Sequence, residues 1–108
     1  MNITYRVKLW VVNENSQPVF GDGLARLLEE IEKRHSVLDA AKSLQMSYRY
    51  ALHRITLAEE RLGESLVTRV RGGAKGGGSS HVTAFGKKIL SKYRDTQKKL
   101  NDTIELLE

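Results

Sequence analysis

A polar, cationic group of side chains in the middle of the sequence has the chemistry needed to grip phosphate or the edge of a base. It lies at the start of a helical pattern and comprises Ser47, Tyr48, Arg49, Tyr50, His53 and Arg54. An arginine guanidinium donates paired hydrogen bonds to guanine or phosphate, and the amides at a helix N-terminus favour an anion. We therefore predict that this helix faces nucleic acid, with Arg49, His53 and Arg54 making the contacts. Two helices of an ordinary core with a basic surface are the alternative.

A second candidate group surrounds a glycine-rich loop. It comprises Arg69, Arg71, Gly72, Gly73, Lys75, Gly76, Gly77, Gly78, Ser79 and His81. Glycine leaves its backbone amide unshielded and tolerates positive φ, so such a loop can lie against phosphates. The lysine precedes the glycines, whereas in a nucleotide-binding P-loop it follows them. We interpret the loop as a cationic hairpin tip that contacts phosphate; a hairpin tip without a ligand is the alternative.

The distribution of charge favours an anionic partner more than its total does. The chain has 108 residues and a formal net charge of +5, and no acidic residue occurs from 65 to 94. That stretch carries Arg69, Arg71, Lys75, Lys87, Lys88, Lys92 and Arg94. One sign of charge concentrated in one segment is what a phosphate-facing surface needs.

Several classes of chemistry are not supported by the sequence. There is no cysteine, which excludes disulfides, thiol catalysis and cysteine metal sites. His35, His53 and His81 are far apart and lack acidic neighbours at ligand spacing, so we expect no metal and no cofactor. No nucleophile motif is present, and we expect no enzyme. The N-terminus does not resemble a signal peptide and no apolar run is long enough to span a bilayer, so we expect a cytoplasmic protein.

The elements that would position these groups are read from periodicity and caps. Residues 1–108 are predicted to form one mainly α domain with small β elements, a winged helix-turn-helix. We predict an N-terminal β-hairpin over 5–20, a helix over 22–34, a helix-turn-helix over 36–62, a glycine-rich wing over 66–83 and a long helix over 84–107. Gln45 stands in the turn where many such turns carry glycine, so we expect that turn to close differently.

The last predicted helix has a heptad pattern. Its seam comprises Leu90, Tyr93, Gln97, Leu100, Ile104 and Leu107. We predict that this seam joins two copies of the chain; packing against its own domain is the alternative.

Four motifs together resemble one family of regulators. They are Ala40-Ala41-x-x-Leu44-x-Met46-Ser47-Tyr48-Arg49-x-Ala51, Arg61-Leu62-Gly63-x-x-Leu66-Val67, the run from Arg71 to Gly78, and Val82-Thr83-x-x-Gly86. The chain resembles the N-terminal DNA-binding domain of the molybdate-responsive ModE regulators and, more distantly, LysR-type winged helix domains. The resemblance implies a dimer on a palindromic operator, with the second helix of the pair in the major groove and the wing on the backbone or minor groove.

Two departures limit what the resemblance implies. Leu52 stands where the family usually has Trp, and Ser79 ends the glycine run early. The oxyanion-binding domain of full-length members would begin where this chain ends, so we expect either a stand-alone member or a fragment of a larger sensor, and we do not predict molybdate binding.

The sequence thus predicts a homodimeric, sequence-specific regulator of transcription that binds double-stranded DNA in the nucleoid. A non-specific architectural DNA-binding protein is one alternative. A protein-interaction module that uses the C-terminal helix is the other.

Overall fold

The computed structural model describes residues 2–72 and 78–108, which form four helices and two small sheets. The elements are β1 (Trp10–Val12), β2 (Pro18–Gly21), α1 (Asp22–Arg34), α2 (Val37–Ser43), α3 (Tyr48–Leu62), β3 (Val67–Val70), β4 (Ser79–Val82) and α4 (Ala84–Leu107). The predicted mainly helical fold, with an N-terminal hairpin and a long C-terminal helix, is confirmed. No helix in these ranges has both the length and the apolar character needed to cross a membrane.

Helix α1 is the centre of the core. Leu24, Leu27, Leu28 and Ile31 recur at helical spacing and are at most 1% exposed. Helix α2 packs against α1 through the small side chains of two fully buried alanines, Ala40 and Ala41. Helix α3 presents Ala51, Ile55 and Ala58 to the same core. These contacts hold α2 and α3 as a helix-turn-helix.

Side-chain caps begin three of the four helices. Ser36 Oγ accepts from Asp39 N at 3.1 Å at the start of α2, and Ser47 Oγ accepts from Tyr50 N at 3.0 Å at the start of α3. Thr83 Oγ1 accepts from Gly86 N at 2.9 Å at the start of α4. Each bond satisfies an amide that has no partner inside its helix, and so fixes where the helix starts.

The turn between α2 and α3 corrects one expectation. Gln45 has φ +58°, the left-handed conformation that glycine would adopt there. Its amide donates to Lys42 O at 3.1 Å, and Met46 N donates to Ala41 O at 2.9 Å. The turn therefore closes in the glycine-like way, and glutamine carries the steric strain of about 1–2 kcal/mol.

The N-terminal hairpin is shorter than the predicted 5–20. Strand β1 begins at Trp10 and pairs antiparallel with β2, while residues 2–9 belong to no strand. Tyr5 N donates to Glu108 Oε1 at 2.8 Å, and Tyr93 Oη donates to Leu9 O at 2.7 Å, which places this segment along α4. The alternating β-formers were a strand signal, but this segment has no neighbouring strand within the described residues.

The two strands of the wing are tied to the helices on either side. In the β3–β4 ladder Val67 pairs with Val82 and Val70 with Ser79. Glu59 Oε2, from α3, accepts from Leu66 N at 2.8 Å and from Val67 N at 3.2 Å. On the other side, Thr83 donates to the carbonyls of Ser65 and Leu66 at 2.7 and 2.9 Å. The base of the wing is therefore rigidly placed between α3 and α4.

The first half of α4 packs on its own chain, so the predicted seam needs correction. Leu90 is 8% exposed and Tyr93 2% exposed, and Tyr93 packs edge-on against Phe20 with ring centroids 5.2 Å apart. Gln97 Oε1 accepts from Arg94 at 2.7 Å. These three side chains are used inside the chain. Leu100 and Ile104 are only half-buried, and Leu107 is exposed.

Candidate nucleic-acid interface

The start of α3 presents a polar surface to solvent. Tyr48 and Tyr50 are 42% and 52% exposed, and Arg49 and His53 are also exposed. They lie away from the stripe of Ala51, Ile55 and Ala58 that faces the core. Because the Ser47 cap leaves further amides of the first turn unbonded within the helix, the helix N-terminus adds partial positive charge to this surface.

Arg54 lies apart from that exposed group. It is half-buried and lines a cavity of about 460 Å³ between α3 and the N-terminal hairpin, with Trp10 on the opposite side. Arg61, two turns further along α3, also lines this cavity and donates to Pro18 O at 2.8 Å. Arg54 is therefore on the hairpin side of α3, apart from Arg49 and His53, and its contact with DNA stays a prediction.

The wing and the helix-turn-helix share one groove. Tyr48 at the start of α3 and Arg69 and Arg71 of the wing line a cavity of about 450 Å³, which we call the Tyr48–Arg69 groove. Its remaining lining residues are Ser36, Val37, Leu38, Val70, Gly72, Gly78, Ser79 and Ser80. The structure thus brings together two groups that the sequence separates by about twenty residues.

Five residues of this groove were missed from the sequence: Ser36, Val37, Leu38, Val70 and Ser80. Leu38 and Val70 are apolar yet 45% and 55% exposed, because neither belongs to the buried stripe of its element. Their signal in the sequence was this departure from periodicity. Ser36 was recognised as a helix cap, and its position in the groove follows from the packing of α2 beside the wing.

A close approach of backbone explains one glycine of the wing. A Cβ at Gly78 would overlap Val70 O across the wing. Only glycine allows the two chains to approach this closely. The predicted contacts of Gly73, Lys75, Gly76 and Gly77 lie outside the described residues.

Within the described residues, the arginines of the groove form no ion pair with an acidic side chain. The ion pairs within residues 2–72 and 78–108 are Arg34–Glu30, Arg94–Asp22, Arg94–Glu29 and Lys98–Asp102, and none involves Arg49, Arg69 or Arg71. Unpaired guanidinium groups beside a groove favour an anion that can enter it.

Arg94 behaves differently, which corrects the view of residues 65–94 as one cationic surface. It donates to Glu29 at 2.6 and 3.2 Å and to Asp22 at 2.8 Å. The hydrogen bonds to Glu29 raise the pKa of Arg94, and the hydrogen bond from Arg94 lowers the pKa of Asp22. This cluster joins α1 to α4 and leaves no net positive charge for a ligand.

The lysines of α4 occupy yet other positions. Lys88 and Lys92 line a cavity of about 350 Å³ with Leu9, Val11 and Phe85, and Lys87 lines a separate cavity of about 120 Å³ with Glu32. The acid-free stretch is therefore divided among separate faces, and Arg69 and Arg71 are the cations of that stretch that the structure places in the groove.

The expectation that the three histidines are far apart is wrong for two of them. His35 and His81 lie with ring centroids 5.3 Å apart, because Ser80 N in β4 donates to His35 O at 2.8 Å. His53 lies on the exposed side of α3.

Comparison with known proteins supports the resemblance seen in the motifs. The chain is 41% identical over 73 residues to the molybdenum transport protein ModE of Azotobacter vinelandii. The matched region covers 68% of this chain and 27% of the relative. The chain is 34% identical over 82 residues to the transcriptional regulator ModE of Yersinia pestis, covering 73% of this chain and 31% of the relative. No protein-family profile matches the chain. The resemblance to the N-terminal region of ModE is confirmed, and the chain spans less than a third of the length of these relatives.

Proposed function

We propose that the protein is a DNA-binding regulator of transcription and not an enzyme. The observation that carries the proposal is the Tyr48–Arg69 groove, where the start of α3 and the base of the wing meet beside cations that have no acidic partner in the described ranges. The similarity to a protein named as a transcriptional regulator agrees with it. Residues 1–108 would act as one DNA-binding domain located with the chromosome in the cytoplasm.

In this proposal α3 enters the major groove of double-stranded DNA. Its 15 residues make a rod of about 22 Å, and an α-helix fits the width of that groove. Arg49 and His53 would reach base edges, while Ser47, Tyr48 and Tyr50 would meet the backbone at the helix start. A DNA strand along the Tyr48–Arg69 groove would place phosphates beside Arg69 and Arg71, with Gly72, Gly78 and Ser79 allowing close approach.

The salt dependence of binding tests the phosphate contacts. Arg71→Ala is expected to reduce the slope of log affinity against log salt by about one, because one fewer counterion is released. Lys98→Ala is the matched control, since Lys98 is paired with Asp102 far along α4 and its loss should leave the slope unchanged. An unchanged slope for Arg71→Ala would remove the wing from the DNA contacts.

The selectivity of binding tests the role of α3. We expect Arg49→Ala to lose more affinity for a duplex selected from a random pool than for unselected duplex, because base contacts carry the sequence information. An equal loss on both duplexes would restrict Arg49 to a backbone contact. A native protein that prefers the selected duplex by roughly 10³ or more is a regulator, and a ratio near one favours the non-specific architectural alternative.

We further propose that two copies bind a palindromic site through the second half of α4. Leu100, Ile104 and Leu107 remain from the predicted seam, and their partial exposure leaves apolar surface to cover. Sedimentation of the native protein and of Leu100→Asp tests this: the native protein should be dimeric and the variant monomeric. A native monomer that still binds the selected site would overturn the dimer. Concentration-dependent self-association without salt-dependent DNA binding would instead support the protein-interaction module.

A further inference from the structure

Two histidines from distant parts of the chain meet at the base of the wing. His35 follows the last residue of α1 and His81 lies in β4, yet their rings are tilted by 40° at a centroid distance of 5.3 Å. The Ser80 N to His35 O bond of 2.8 Å holds the two backbones together. The pair therefore lies at the base of the wing, within the described residues.

The backbone at His35 is unusual for this residue type. It has φ +55° and ψ +31° and ends α1 in the left-handed conformation, where glycine or asparagine is preferred. A non-glycine residue in this region carries strain that persists where the surroundings determine it, and such residues cluster at functional sites. Glycine would end the helix with less strain but would supply no imidazole.

We propose that His35 and His81 bind one divalent transition-metal ion of the class that prefers imidazole ligands, with Zn²⁺ as the reference ion. Two imidazoles on one tetrahedral Zn²⁺, with bonds of about 2.0–2.1 Å, hold their ring centroids about 5 Å apart. The 5.3 Å between these rings is close to that separation. The separation of the two rings therefore fits a shared ion.

A hydrogen bond to Ser79 prepares His81 for this role. Ser79 Oγ lies 2.9 Å from His81 Nε2. In the tautomer whose proton is on Nε2, this nitrogen donates to Ser79 Oγ, and Nδ1 keeps the lone pair that binds a metal. Histidines that bind metals commonly donate their other ring N–H to such a partner, which fixes the tautomer and the ring orientation.

The surroundings determine what kind of ion the pair would take. The cavity between the rings is small, about 120 Å³, and Glu32 and Lys87 also line it. Residues 2–72 and 78–108 hold no cluster of three or more His, Asp or Glu side chains suited to a metal, so water would complete the coordination. With imidazole as the protein ligand, the pair discriminates against Mg²⁺ and Ca²⁺, which take oxygen ligands.

An ion held by both rings would join α1 to β4. It would therefore resist opening of the wing from the helical core. Binding of Zn²⁺ is measured without DNA, so the metal site and the proposed regulator function can fail independently.

Calorimetric titration and thermal unfolding test the site in the full chain. We expect the native protein to bind one Zn²⁺ per chain, and its Tm to rise by at least about 5 °C at a hundredfold excess over Kd. Mg²⁺ should leave the Tm unchanged. His35→Gly suits the left-handed backbone and is expected to fold, so its loss of Zn²⁺ affinity, by at least about tenfold, isolates the missing ligand.

Two further variants complete the test. Ser79→Ala should weaken Zn²⁺ binding by about tenfold through the lost hydrogen bond to His81. His53→Ala is the matched control, because His53 is exposed on α3 and should not affect Zn²⁺ binding. Unchanged Zn²⁺ affinity in folded His35→Gly, or loss of the ion in His53→Ala, would overturn the site.

Discussion

Replacing Gly86 with alanine is expected to destabilise the junction between the wing and α4. A Cβ at this position would stand 2.6 Å from Leu66 O and 2.7 Å from Val82 Cγ1, whereas ordinary contacts begin at 3.4 Å. The Leu66 carbonyl is backbone and also accepts the Thr83 amide at 2.9 Å, so it cannot turn aside as a flexible side chain would. Both neighbours, or the start of α4 itself, must therefore move by about 0.7–0.8 Å to restore ordinary contacts.

The sign of the effect distinguishes this packing from simple helix propensity. Alanine is favoured over glycine inside a helix by about 1 kcal/mol, so without the contact the variant would be the more stable protein. Overpacking of this kind costs about 1–3 kcal/mol, and more where backbone must shift. We expect a net loss of about 1–2 kcal/mol and a fall in Tm of about 4–10 °C.

Urea unfolding followed by circular dichroism measures this loss as a lower midpoint with an unchanged slope. Gly23→Ala is the matched control, because a Cβ at Gly23, in the first turn of α1, would have no neighbour within 4 Å. It should unfold at the native midpoint or slightly above. If Gly86→Ala is as stable as the native protein, the junction is not packed as described and the reasoning fails.

The remaining predictions concern a carboxylate, a turn and an ion pair. Glu59→Ala should lower the free energy of unfolding by about 2–3 kcal/mol, because two wing amides lose their charged acceptor. Urea unfolding measures this loss, and Glu59→Gln, which keeps one oxygen acceptor, should lose less. Equal stability of Glu59→Ala and the native protein would contradict the prediction. Gln45→Gly should raise the Tm, because it relieves the strain of the left-handed backbone. After the conformational entropy cost of glycine is subtracted, the expected gain in the free energy of unfolding is about 0.5–1 kcal/mol. A lower Tm would show that contacts of the glutamine side chain contribute more stability than the strain removes. The hydrogen bond from Arg94 lowers the pKa of Asp22 in the folded protein. The ionised Asp22 therefore stabilises the fold fully above its pKa in the unfolded chain, about 3.9, and this stabilisation is lost as the pH falls through the lower pKa of the folded state. The stability difference between native protein and Asp22→Asn should therefore shrink below about pH 4, and a constant difference down to pH 2 would refute this.

The helices were predictable because their signals are local. Ser36 and Ser47 mark helix starts that depend on a hydrogen bond three residues away, and the leucines of α1 repeat within one element. The same locality made Thr83 and Gly86 visible as a motif. The requirement for glycine in the motif depends on Leu66, twenty residues earlier, whose carbonyl lies against it.

The errors arose where distant residues decide the outcome. Whether residues 5–9 form a strand depends on a partner edge, which local alternation does not reveal. Arg94 is a cation in an acid-free stretch of sequence, which suggested a DNA contact, but its carboxylate partners lie in α1. The meeting of His35 and His81 likewise depends on the packing of β4 beside the end of α1.

The uneven packing of α4 has a consequence for how the protein opens. Its buried residues, Gly86, Leu90 and Tyr93, all lie in the first ten of its 24 residues, so the remaining part extends about 20 Å beyond them. Backbone amides near Leu90 should exchange with solvent deuterium only through global unfolding, whereas those beyond Leu100 should exchange by fraying of a nearly isolated helix. Cooperativity thus ends partway along a single continuous helix, and its outer turns form a separate unit whose order depends on what packs against them.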